Sequence, residues 1–185
     1  MGTTWSVRGI TRAMLPLLVV LAVVEVGSGL VLDTFEEYLL RYPSLLVLVP
    51  VMIGTAGNLG SILAARLSTA FHLGTLSFDA RDDELVGNAV ATVGLAATVF
   101  PLVGASAWLL SLATGGTALP ARTVVAVATL SGLVLAALAV AVTFAATYAA
   151  YRLELDPDDV VIPVVTNVCD VLGVVVLFGV VRVLV

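Results

Sequence analysis

Apolar residues along this chain fall into five long blocks divided by short polar connections, at about 13–32, 43–67, 85–112, 123–148 and 160–184. A membrane-crossing helix needs roughly 20 mostly apolar residues, and each block is long enough. The pattern predicts an all-α integral membrane protein with five transmembrane helices, forming one membrane domain over 1–185 with no soluble regulatory domain. The connections carry the acids. Asp33, Glu36, Glu37 and Arg41 follow the first span, with Tyr38 and Tyr42 as interfacial anchors. A longer connection, roughly 68–84, holds the lone His72 and the run "DARDDE". "ATGGTALPAR" reads as a tight turn, because glycine and proline punctuate local structure. "RLELDPDD" precedes the last span, and Pro101 is expected to break the third.

Composition agrees. The chain is 61% hydrophobic and 11% charged, with a mean hydropathy of +1.17; a soluble domain is nearer half apolar and a quarter charged. Arg8 and Arg12 before the first span resemble the start of a signal peptide. Glu25 interrupts the apolar centre, however, and no small-x-small site follows, so the segment is expected to be retained. The single cysteine, Cys169, excludes an internal disulfide and a cysteine-built metal site, and reads as a small apolar filler.

The eight basic residues are all arginine, and thirteen acids bring the net charge to −5. That balance fits a halophilic source and argues against a nucleic-acid partner. Five spans put the termini on opposite sides of the membrane. Arg8, Arg12, Arg66, Arg81 and Arg152 then share one side and Arg41, Arg122 and Arg182 the other. Positive charge favours the cytoplasm, so the N-terminus is expected inside and the C-terminus outside.

Polar residues inside the spans are the informative ones. "VVTNVCDVLGVVVLFGVV" (164–181) carries Asp170 with no arginine within a helical turn. An aspartate at a helix centre costs roughly 2.5–3.5 kcal/mol by insertion scales, so it faces a bundle interior or a wet cavity. At helical spacing Pro163, Thr166, Asn167, Asp170 and Gly173 share one side, opposite Val164, Val168, Val171 and Val175. In the second span Gly54, Gly57, Ser61, Ala64 and Ser68 form a small-residue seam that lets helices approach, with Asn58 beside it as packing glue or pore lining. Arg66 is expected to snorkel to the interface, Glu25 to pair with an arginine of another helix, and His72 to face solvent. Asn88 and Thr92 make a weaker polar pair. The sequence has no H-E-x-x-H, no G-x-S-x-G and no second aspartate within a span, so no enzymatic activity is expected. A carboxylate in a polar stripe fits a cation path better.

Two segments, "PVMIGTAGNLGSILAARLSTAFHLG" (50–74) and "DPDDVVIPVVTNVCDVLG" (156–173), resemble the membrane domain of MgtE-type magnesium transporters. They look still more like the eukaryotic solute-carrier branch of that superfamily, and "GLVLD" at 29–33 agrees. The resemblance implies a dimer of five-span units with the ion path on the two-fold axis. The partner would be a second copy or a homologous second half. It implies that Asp170 meets the ion, with Gly57, Asn58 and Asn167 in the same motifs. One departure is Ile62, where bacterial relatives often have glutamine.

Magnesium demands octahedral oxygen at about 2.0–2.1 Å and gives up water reluctantly, so its path should hold the hydrated ion. Two Asp170 carboxylates would balance its charge, and Asn58, Thr166 and Asn167 would accept hydrogen bonds from its waters. Channel and sodium-coupled exchange both stay open. So do a non-conducting partner half and another cation, although a site without soft ligands disfavours zinc and copper.

Overall fold

The computed structural model describes residues 6–77, 79, 82–116 and 119–185. Six helices follow in order: α1 (Val7–Asp33), α2 (Glu36–Arg41), α3 (Pro43–His72), α4 (Asp83–Ala113), α5 (Ala121–Arg152) and α6 (Pro157–Leu184). Five of them, all but α2, are long and apolar enough to cross a membrane. Arg81 lies outside the described residues.

Local chemistry sets the helix ends. Ser6 caps α1, its hydroxyl accepting from the Gly9 amide. Asp82 caps α4 by accepting from the Glu84 and Leu85 amides, and Asp156 caps α6 by accepting from the Asp158 amide, with Pro157 in the first turn. Acids in both first turns complement the helix dipole. Gly74 and Gly115, at φ +68° and +76°, turn the chain after α3 and α4.

Two expectations need correction. Pro101 does not break the third span: α4 runs unbroken through it. The carbonyl that proline leaves without a partner is one turn earlier, and membrane helices tolerate such a gap where neighbours pack around it. The first acidic connection holds the short helix α2, Glu36–Arg41. Its Phe35 stacks on Phe178 of α6 with centroids 4.1 Å apart, and Arg182 lies over the same ring. Nor does His72 sit in a loop; α3 continues to it, one turn past the expected end.

Helices α3, α4, α5 and α6 form the bundle. Missing side chains let them close in. A β-carbon on Gly132 of α5 would overlap the fully buried Phe100 ring of α4, and one on Gly104 would stand 2.8 Å from the Val125 backbone. Between α3 and α6, Gly60 lies against Val165 and Cys169, and Gly173 against Ile53. Gly54, by contrast, has nothing within 4 Å of its β-position. Of the expected seam, Gly57, Ala64 and Ser68 are buried, and Gly60 packs beside them where Gly54 does not. Cys169 is 2% exposed and fills this contact, as its size suits. Helix α1 stands apart, packing chiefly along α6 and leaving Val19, Val20, Val23 and Val26 exposed.

Candidate ion site

Asp170 lies near the midpoint of α6 and is partly exposed. Gly57 of α3 opposes it: a β-carbon there would stand 3.2 Å from Asp170 Oδ1 and 3.4 Å from Thr166 Cγ2. Glycine at 57 thus makes room for the carboxylate on the α3–α6 seam. Among the described residues, no arginine forms an ion pair with Asp170, and no hydrogen bond reaches it. No described residue pairs with its charge.

Thr166 is one turn before Asp170. Its hydroxyl donates to the Ile162 carbonyl at 2.8 Å, which leaves the oxygen lone pairs able to accept from water. Asn58 follows Gly57 on α3 and is exposed. Gly57, Thr166 and Asp170 are thus brought together.

Asn167 is held elsewhere. It is 3% exposed and turned toward α1, where Nδ2 donates to the Leu21 carbonyl at 3.1 Å and to Glu25 Oε1 at 2.6 Å. Both amide hydrogens are used, and Oδ1 is buried without a partner. Glu25 was expected to pair with an arginine. It meets a neutral amide instead, the Asn167 side chain of α6, the helix along which α1 chiefly packs.

Other polar groups settle at one end of the bundle. Arg66 does not simply snorkel; its guanidinium donates to Asn88 Oδ1 on α4, while Asn88 Nδ2 donates to the Glu84 carbonyl at 2.7 Å. Thr92 bonds the Asn88 carbonyl at 2.8 Å. Buried Ser68 donates to Asp158 Oδ1 at 2.6 Å, tying the end of α3 to the start of α6. His72 is exposed, as expected, yet its Nε2 is 3.8 Å from Asp156 Oδ1. That meeting was not legible in the sequence, since 84 residues separate the two and only the antiparallel return of the chain joins them.

Residues 49–180 match a family described as divalent cation transporters, MgtE. The chain belongs to the MgtE family. An 85-residue stretch is 34% identical to solute carrier family 41 member 3 of Rattus norvegicus. That match covers 45% of this chain and 18% of the relative, so the chain spans less than a fifth of that protein's length. Both segments that carried the resemblance lie within or against the MgtE match, and Gly57, Asn58, Thr166, Asn167 and Asp170 all fall inside it. The all-helical fold with five membrane-length helices agrees with a multi-pass MgtE domain.

Proposed function

We propose that this chain moves a hydrated divalent cation, magnesium foremost, across the cell membrane along a path lined by Asp170. One observation carries the reading: a carboxylate at mid-span, partly exposed, with no arginine and no hydrogen-bond donor from the protein among the described residues. A charge left bare in a membrane helix answers to something that comes and goes. Thr166 and Asn58 add oxygen atoms of the hard type that suits magnesium, while Asn167 is turned to α1. Gly57 keeps the approach to Asp170 free of a side chain.

The carboxylate and Asn58 lie at the margin of the single chain, which supports a site completed by a second copy or a homologous half. Two such carboxylates would match one divalent ion. The N-terminus would then be cytoplasmic and the C-terminus outside.

The test uses the whole chain in liposomes loaded with a magnesium-sensitive dye. Wild-type protein should admit Mg2+, and Asp170→Asn, which keeps shape and loses charge, should reduce influx to that of empty vesicles. Asp170→Asn vesicles that fill at the wild-type rate would remove Asp170 from the path. A wild-type chain silent alone, but active beside a homologous half, would make it the partner subunit.

A further inference from the structure

Glu25 is, like Asp170, a carboxylate away from the ends of a membrane-length helix, and transport through Asp170 gives it no task. Its neighbours Val23, Val24 and Val26 are exposed apolar residues suited to lipid. Among the described residues it forms no ion pair, and its one side-chain bond comes from Asn167. A neutral amide satisfies a lone pair but leaves the charge.

The amide itself supplies an independent sign. Asn167 spends both hydrogens on Leu21 and Glu25, and its own carbonyl oxygen is buried with nothing donating to it. Buried acceptors are almost always partnered, by protein, water or ion. Between α1 and α6 there is a cleft of about 340 Å³, bordered by Leu18, Ala22, Glu25, Pro163, Thr166 and Asn167. That volume exceeds what one water needs. The cleft therefore joins a negative charge and a threonine hydroxyl whose hydrogen is already given to Ile162, and Asn167 in its wall holds an unpartnered amide oxygen buried just behind the surface. Every polar atom left over is an oxygen that accepts. Hard, hydrated divalent cations fit such a set, and soft metals do not.

We propose that Glu25 and Asn167 form a second cation-binding position in the α1–α6 cleft, next to Asp170. Asn167 and Asp170 are three residues apart on one helix, about 4.5 Å along its axis. The cleft site holds the hydrated ion one step from the Asp170 carboxylate, and a single chain then offers two negative charges rather than one. The proposal deepens the transport reading and rests on it for the ion's passage, though not for its binding.

Mn2+ titration followed by electron paramagnetic resonance, on the full chain in detergent, tests it. The comparison is Asp170→Asn against Asp170→Asn combined with Glu25→Gln, so that surface acids contribute equally to both. Glutamine keeps the oxygen that Asn167 bonds and removes only the charge. The double variant should bind Mn2+ roughly tenfold more weakly at one position. Asp170→Asn combined with Glu25→Asp, which keeps the charge, should stay close to Asp170→Asn, showing that the loss is not misfolding. Identical titrations with and without Glu25→Gln would overturn the site. Wild-type liposomes impermeable to Mg2+ would instead defeat the transport reading, while this titration would still decide the cleft.

Discussion

Gly57 of α3 faces Asp170 of α6 so closely that even a methyl group would stand 3.2 Å from the carboxylate oxygen. Alanine fits there if the aspartate gives by a few tenths of an ångström, and the side chain is free to rotate. Gly57→Ala should therefore assemble normally and slow Mg2+ influx roughly threefold or more by moving the charged group off its line. Gly57→Leu should stop influx. Size-exclusion profiles and dye-loaded liposomes check both halves of the expectation.

Gly132 is a structural counterpart without a polar neighbour. The Phe100 ring occupies the place of its β-carbon, and that ring is fully buried. Gly132→Ala should destabilise the bundle by about 1–3 kcal/mol, the usual cost of overpacking. Adding Phe100→Leu should recover part of the loss. Thermal unfolding in detergent measures each variant.

Ser68 ties α3 to α6 through Asp158 at 2.6 Å. Ser68→Ala removes the donor while leaving Asp158 open to water, so the cost should be modest, roughly 1–2 kcal/mol. Hydrogen exchange at the first turn of α6 should rise, and exchange in the middle of the helix should not.

The α4 cap responds to acid in a defined direction. The Ser77 hydroxyl, and then the Ser77 amide, donate to Asp82 Oδ2 and hold its carboxyl below the ordinary range. A carboxyl lowered on folding contributes stability above its unfolded pKa of about 4 and loses it as pH falls through the folded value. Amide exchange at Glu84 and Leu85 should thus accelerate only below pH of about 4. Ser77→Ala should move that onset upward.

Asn167→Leu removes both bonds that α6 gives to α1. The expected loss of roughly 1–3 kcal/mol falls on a helix with few other contacts. Exchange across 14–33 should rise sharply while α3 to α5 stay protected. Equal loosening everywhere would show that α1 is integral to the bundle.

The sequence carried the helices because length and hydropathy decide them: block boundaries and helix ends differ by a few residues, mostly by an extra polar turn such as Ser68 to His72. It carried Asp170 and Gly57 because a lone carboxylate and a glycine seam stand out in apolar surroundings. Helical spacing placed Asn167 on the Asp170 stripe but could not say which neighbour it meets. Asn167 and Glu25 are 142 residues apart, and no local pattern links them. The same holds for His72 with Asp156. Gly54 read as part of the seam, and only packing shows that nothing stands within 4 Å of its β-position while Gly60 lies against Cys169.

Because α6 is synthesised well after α1, with Glu25 and Asn167 142 residues apart, three membrane-length helices must be made before Glu25 finds its amide. Through that interval α1 waits in lipid with an unattended acid. Its settling in the bilayer should therefore hinge on the arrival of α6.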